Sequence, residues 1–152
     1  MDNMLIDAFD DLMQSACTPA AVRAIEAGGD AGGLWQAIAG SGFADALVPA
    51  GQGGAGLALT EVFGVLRAAG RHAVPLPFAQ TVLARGWLAA QGVALPDGPI
   101  ALAPFGVHRL DDGALQAARV PYGALADWVL ACVGNDAVLL PVHAGTHIDA
   151  LC

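Results

Sequence analysis

Apolar side chains recur at helical spacing in the first part of the chain, up to about residue 92. In the opening segment they share one side of a helix while aspartates take the other, which predicts an amphipathic helix ending near Cys17. Thr18 and Pro19 are the residue types that favour an N-cap and a first helical position, so a second helix is expected from there to Gly28. A third helix is expected over residues 31–39, ending at Gly40 or Gly42.

Two further helices follow a glycine-rich run. The fourth is predicted to be the central buried helix and to end at Gly70, and Pro77 can open the fifth, which continues to residues 91–92. The residues expected on the buried stripe of the fourth helix are Leu59, Val62, Phe63, Leu66 and Ala69. Those of the fifth are Phe78, Val82, Leu83, Trp87 and Leu88. Trp35, Trp87 and Trp128 all fall on apolar stripes and are expected to pack in a core.

After residue 93 the pattern changes to short apolar runs separated by turn residues such as Asp112-Gly113 and Gly134-Asn135. The runs expected to form strands are residues 100–103, 107–110, 114–120, 128–133 and 137–142. Helices followed by strands predict an α+β chain. We expect a helical bundle over residues 1–93 and a small, mostly antiparallel β domain over residues 94–152.

Composition excludes several classes of function. The chain of 152 residues has no lysine and a formal charge of −8, which would repel nucleic acid and anionic membranes. No apolar run is long enough to span a membrane, and the amino terminus lacks the pattern of a signal peptide. Cys17, Cys132 and Cys152 are far apart and form no C-x-x-C pair, so reduced thiols in a cytoplasmic protein are expected.

The run Gly51-Gln52-Gly53-Gly54-Ala55-Gly56 matches the letters of a dinucleotide-binding loop, G-x-G-x-x-G. Such a loop needs a buried strand before it and an acidic residue about twenty positions later. Pro49 closes the short candidate strand at residues 46–48, and the later acid is missing. We therefore favour a structural turn over a nucleotide site.

Other polar residues have both a structural and a functional interpretation. His143, His147, Asp149 and Cys152 have the composition of metal ligands, but Gly145 and Thr146 disfavour the helix that would align the histidines, and no metal site is predicted. Glu61 is expected to stabilise the first turn of its helix, where an acid is favourable.

Arg71 and His72 lie at the carboxyl end of the fourth helix, where a positive charge is favourable. Arg71 is expected to stabilise the last turn, and His72 is expected to contact the last helical carbonyl groups.

The order of these features resembles the amino-terminal helical domain of the acyl-CoA dehydrogenase family. The resemblance is carried by Trp35 to Gly42, Val48-Pro49, the glycines at 53, 54 and 56, Gly70-Arg71, and the prolines at 75 and 77 with Thr81. It covers residues 30–92 well and the remainder loosely. It implies an FAD-dependent flavoprotein that oxidises an acyl-CoA thioester at its alpha and beta carbons.

The resemblance also implies which residues lie near ligands. The helix carrying Phe78, Thr81, Val82 and Leu83 would line the acyl pocket. The segment Leu102-Ala103-Pro104-Phe105 would lie at the flavin, although Ala103-Pro104-Phe105 replaces the Thr-Glu pair usual in the family. We therefore expect FAD binding to depend on more than this chain.

No residue matches the family's catalytic glutamate, which belongs to a carboxy-terminal helical domain that is absent from these 152 residues. We expect the chain to be the front portion or a subunit of such an enzyme, in a homo- or hetero-oligomer with the chain or segment that completes it. The alternative is a non-catalytic interaction or assembly module that retains the fold.

Overall fold

The structure is a computed structural model that describes residues 2–117 and 119–142, and within them helices precede strands. The α-helices of this part are α1 (Asp2–Ala16), α2 (Pro19–Glu26), α3 (Gly32–Ser41), α4 (Leu59–Arg71) and α5 (Phe78–Ala90). The strands are β1 (Ile100–Ala103), β2 (Val107–Arg109), β3 (Leu115–Ala117), β4 (Trp128–Val133) and β5 (Asp136–Pro141). The predicted α+β class is confirmed.

Helices α2 and α3 begin and end close to the expected positions. Thr18 Oγ1 accepts a hydrogen bond from the backbone N–H of Ala21 at 3.2 Å, and Pro19 takes the first helical position. Helix α3 is followed by Gly42 with φ of 82°, a left-handed conformation that favours glycine. The residue types at Thr18-Pro19 and at Gly42 were therefore sufficient to locate the start of α2 and the end of α3.

The core of the helical bundle contains a chain of aromatic contacts. Phe9 of α1 is fully buried, and its ring lies edge-on to Phe43 and stacked on Phe78, with ring centroids 5.0 Å and 5.2 Å away. Aromatic pairs at this spacing contribute about 0.5–1.5 kcal/mol beyond their buried area. The contacts connect the first helix directly to the first turn of α5.

The buried face of α4 differs from the predicted stripe. Val62, Val65, Ala68 and Ala69 are buried, whereas Leu59 and Phe63 are 51% and 58% exposed. A Cβ on Gly64 would overlap the Ile6 side chain, so α1 and α4 pack closely at this position. The prediction is confirmed for Val62 and Ala69, Leu66 is partly buried, and the prediction is wrong for Leu59 and Phe63.

The end of α4 also differs from the prediction. Gly70 lies within the helix, which continues to Arg71 with His72 as its C-cap. The residue that adopts a positive φ after the helix is Ala73, at 49°. At the other end the prediction for Glu61 is confirmed, because its Oε2 accepts a hydrogen bond from the Ala58 N–H at 2.7 Å.

The strands form a small, mostly antiparallel arrangement, as predicted. One sheet has the order β1-β4-β5, with β1 parallel to β4 and β4 antiparallel to β5, while β2 and β3 pair as a separate antiparallel hairpin. The register aligns Ile100 with Trp128 and Leu102 with Leu130 and Leu139. These side chains share one face of the sheet and pack against α5.

Helix α5 lies between the two apolar clusters found in the described part of the chain. Phe78 and Val82 pack into the bundle core, whereas Ala84 and Leu88 pack against Ile100 on the sheet. The surface that remains outside both clusters carries Ala79, Leu83, Trp87 and Ala90, which are exposed. The expectation that Trp87 packs in a core is therefore wrong: it is 45% exposed.

The other two tryptophans are partly buried at the expected positions. Trp35 packs against the bundle core, and Trp128 against the cluster between α5 and the sheet. The Trp128 indole N–H also donates to the carbonyl oxygen of Asp97 at 2.8 Å.

Thr81 is the fully buried polar residue where α5 meets β1. Its hydroxyl donates to the Pro77 carbonyl at 2.7 Å and accepts the Ile100 backbone N–H at 2.9 Å. On the next turn, Arg85 Nε donates to Asp45 Oδ1 at 2.7 Å and Arg85 Nη1 to the Pro96 carbonyl at 2.6 Å. Helix α5 is therefore joined by hydrogen bonds to the bundle, to the segment before the sheet and to β1.

Replacing Thr81 with valine keeps the shape of the side chain and removes the hydroxyl, which leaves the buried Ile100 N–H without its acceptor. We expect Thr81→Val to lower the free energy of unfolding by about 1–3 kcal/mol, measured by urea denaturation. Thr81→Ser retains the hydroxyl and is the matched control. Equal stability of wild type and Thr81→Val would contradict this role.

Candidate functional site

The glycine-rich run forms a closed turn. Residues 46–48 form no strand, Gly53 and Gly56 have φ of 88° and 64°, and a Cβ on Gly54 would overlap Val48. The N–H of Gly56 donates to the Val48 carbonyl at 2.8 Å, and the N–H groups of Gly53 and Gly54 also donate to backbone oxygens. These donors are used within the turn, so the nucleotide-loop interpretation is wrong and the structural interpretation is confirmed.

A cavity of about 410 Å³ lies where the helical bundle meets the β-strand region. Its walls come from the end of α4, from the crossing segment over residues 73–77, from the first turn of α5, and from Tyr122 and Leu125 beyond the hairpin. Most of the lining is apolar, and the polar side chains on it are Glu26, Gln80 and Tyr122. The cavity is a half-open cleft whose volume alone falls within the range of small-molecule sites.

The four residues expected to line an acyl pocket lie in different environments. Phe78 borders the cavity, but its side chain is only 2% exposed and packs in the bundle core. Thr81 and Val82 are fully buried, Thr81 between α5 and β1 and Val82 in the bundle core. Leu83 is 39% exposed on the outward side of α5. The structure therefore brings only Phe78 of this set to the cavity.

The segment expected at the flavin follows the end of β1. Leu102 is partly buried and its N–H donates to Gln80 Oε1 at 2.7 Å, while Ala103 is buried. Pro104 is exposed, and Phe105 is 85% exposed. The four residues thus present one exposed aromatic ring next to a strand end, where a planar ligand could stack.

Sequence reasoning missed the polar residues of the cavity. Gln80 lies between apolar residues of α5 and had no motif to mark it, and Glu26 lies at the end of α2. Tyr122 follows Pro121 in a turn and adopts φ of 61°. Their proximity depends on how α2, α5 and this turn pack together, so no local spacing in the sequence indicated it.

A cluster of charged groups joins α1 to the end of α4. Asp10 Oδ2 lies 2.9 Å from Arg71 Nη2, and Asp10 Oδ1 lies 2.8 Å from His72 Nε2. The expectation for Arg71 is confirmed in that it lies in the last turn of α4. The expectation that His72 contacts the last helical carbonyl groups is wrong, because its ring contacts Asp10 instead. The hydrogen bond from His72, together with Arg71, lowers the pKa of Asp10 against the opposing effect of desolvation.

The free cysteines in the described residues differ in accessibility. Cys17 is buried, with its Sγ 3.7 Å from the His72 carbonyl oxygen, and burial raises the pKa of its thiol. Cys132 on β4 is exposed. Residues 2–117 and 119–142 contain no group of three metal-ligating side chains, and the His143, His147, Asp149 and Cys152 set lies outside the described residues.

Comparisons with protein-family models, with curated proteins and with solved structures find no match to this chain. In the part of the chain that the structure describes, no helix is both long enough and apolar enough to cross a membrane.

The Asp10 cluster predicts a pH dependence. Because the folded state lowers the pKa of Asp10, the stabilisation is complete above the ordinary aspartate pKa of about 4 and is lost as pH falls through the lower folded value. We expect Asp10→Asn to be less stable than wild type at neutral pH and to lose less stability on acidification. Denaturant unfolding between neutral pH and about pH 2 measures this. Asp11→Asn, on the exposed side of α1, should retain the wild-type profile, and a profile for Asp10→Asn parallel to wild type would contradict the prediction.

The cysteines predict selective labelling. At neutral pH an exposed-thiol reagent should modify Cys132 in the folded protein and reach Cys17 only after denaturation, because Cys17 is buried and protonated. Mass spectrometry of peptides from native and urea-treated protein measures both sites. Equal labelling rates of Cys17 in the two samples would show that α1 and α4 do not shield it.

Proposed function

We propose that this chain is the front portion, or a subunit, of an acyl-CoA dehydrogenase-like flavoprotein. Completed by a carboxy-terminal helical segment, it would oxidise an acyl-CoA thioester at the alpha and beta carbons. In the family that the sequence resembles, a helical domain and a following β domain together form one side of the ligand cleft. The observation that carries the proposal is the mostly apolar cavity beside Phe78, where the bundle meets the strands.

The arrangement around this cavity supports a binding role for the chain. Phe78 is held by its stack on Phe9, and α5 is held by the Thr81 bonds, so the helix behind the cavity is rigid. The apolar surface that a ligand would meet comes from Leu66, Ala79 and Leu125. A preorganised apolar wall loses little entropy when an acyl group binds. The chain would therefore position the acyl part of the substrate.

The four residues that the resemblance places at the flavin could contact only part of FAD. Phe105 offers a surface for stacking, but none of Leu102, Ala103, Pro104 and Phe105 carries a charge for the pyrophosphate. Flavin cofactors supply hydride-transfer chemistry when bound. The remaining contacts to FAD and the carboxylate base that removes the alpha proton would come from the completing segment, so no chemical step is assigned to this chain.

The alternative function is a non-catalytic interaction or assembly module. The observation that favours it is the outward side of α5, where Ala79, Leu83, Trp87 and Ala90 form an exposed row without a polar residue. Exposed apolar surfaces on soluble proteins often contact other proteins. In this alternative the same fold would bind a partner and no flavin.

The test is to express the chain with an affinity tag from its own locus, so that any completing segment or partner is purified with it. We expect a preparation with visible flavin absorption that bleaches anaerobically when an acyl-CoA is added. Phe105→Ala should reduce the flavin content, whereas Leu110→Ala, which removes another exposed apolar side chain from the same region, should not. A colourless preparation, or a flavin that no acyl-CoA bleaches, would contradict the proposal and favour the interaction module.

A further inference from the structure

The cavity beside Phe78 has one polar side chain whose orientation is set by the fold. Gln80 Oε1 accepts the hydrogen bond of the Leu102 N–H at 2.7 Å, and Gln80 also lines the cavity. A carboxamide whose oxygen is occupied in this way retains two N–H donors on its nitrogen. Among the described residues, no acceptor lies within hydrogen-bond distance of the Gln80 nitrogen. This nitrogen is not buried, so its N–H groups are in contact with solvent. They are available to a molecule in the cavity.

Backbone strain is a second and independent feature of the same cavity. In residues 2–117 and 119–142 the non-glycine residues with a positive φ are Ala73, at 49°, and Tyr122, at 61°, and both line this cavity. A non-glycine residue in this region costs about 1–3 kcal/mol and persists only where its surroundings enforce it. Such residues concentrate at ligand-binding sites. Ala73 follows α4 and Tyr122 lies beyond the β2–β3 hairpin, so two separate segments each bring a strained residue to the same cavity.

We propose that this cavity binds a mainly apolar molecule that carries a carbonyl or a similar hydrogen-bond acceptor, and that the Gln80 amide N–H donates to that acceptor. Leu66, Leu125 and the ring of Tyr122 offer the accessible apolar surface for the body of the ligand, and Gln80 selects for the oxygen. A site that is built to donate a hydrogen bond rejects an analogue without the acceptor, because the donor is then desolvated and left unpaired. Gln80 is thus a specificity-determining residue.

This inference goes beyond the proposed function and does not need a flavin or a thioester. Were the chain to bind an acyl-CoA, Gln80 would favour acyl groups that bear an oxygen at the position facing α5 over plain hydrocarbon chains. The cavity can be probed directly with small molecules, so its outcome is independent of whether the completed protein is a dehydrogenase.

The experiment compares α-tetralone with tetralin, which share a ring skeleton and differ in one carbonyl group. Binding to the whole chain is followed by two-dimensional NMR of ¹⁵N-labelled protein, which also reports the Gln80 side-chain amide. We expect α-tetralone to bind about tenfold more tightly than tetralin and to shift the Gln80 amide signals.

The decisive variant is Gln80→Glu. A glutamate oxygen can still accept the Leu102 N–H, so the contact between α5 and β1 is retained, but the N–H donor to the cavity is removed. We expect the affinity for α-tetralone to fall about tenfold and that for tetralin to stay unchanged. Gln91→Glu makes the same change at the exposed end of α5 and should alter neither affinity.

Several outcomes would overturn the inference. These are equal affinities of wild type for the two probes, a preference for α-tetralone that survives Gln80→Glu, and shifts confined to residues away from the cavity. Failure of both probes to bind would also overturn it. None of these outcomes decides the result of the flavin and acyl-CoA experiment, which measures flavin content and bleaching.

Discussion

The hydroxyl of Thr81 satisfies two backbone groups at the contact on which the rest of the structure depends. Helix α5 must pack against the bundle on one side and the sheet on the other, and at this contact the edge of β1 would otherwise bury unpaired N–H groups. Thr81 accepts the Ile100 N–H, and Gln80 accepts the Leu102 N–H two residues further along the same edge. Among residues 2–117 and 119–142 no strand pairs with β1 on this side, and the helix side chains take its place.

This arrangement explains why the cavity has its particular shape. The crossing segment connects the end of α4 to the start of α5, which is fixed to β1, and its residues 74–77 are buried. Ala73 turns the chain into the crossing with a positive φ, and a tight turn at Pro77, closed by the Phe78 N–H on the Leu76 carbonyl at 2.7 Å, leads into α5. The cavity is the space that remains between the crossing, the turn that carries Tyr122, and the first turn of α5.

Local chemistry in the sequence was sufficient for the order and most boundaries of the elements. Thr18-Pro19, Gly42 and the turn residues of the strand region act through contacts within a few residues, so their effect can be read without knowing the fold. The buried side of α4 could not be read in this way. Val65 and Ala68 are buried in the bundle core while Phe63 is exposed, which depends on how α4 packs against the rest of the bundle.

The candidate site was less predictable for the same reason. Phe78 was identified through a family resemblance, whereas Gln80, Tyr122 and the partner of His72 come together only in three dimensions. Asp10 and His72 are far apart in sequence, and each alone has the pattern of an ordinary surface residue on an amphipathic helix or at its end. The family assignment and the flavin chemistry stay predictions.

The pairing of β1 with β4 has a consequence for how the chain reaches its native state. Because β1 and β4 are parallel, the chain between them, which includes the β2–β3 hairpin, must return to the starting end of β1 before the two strands can pair. Contacts that close such a loop form slowly, because loop entropy is lost before the pairing compensates for it. We expect the helices to assemble first during synthesis and to hold β1 on the surface of α5 while the later strands emerge. In that order of events the bundle would serve as the template for the sheet.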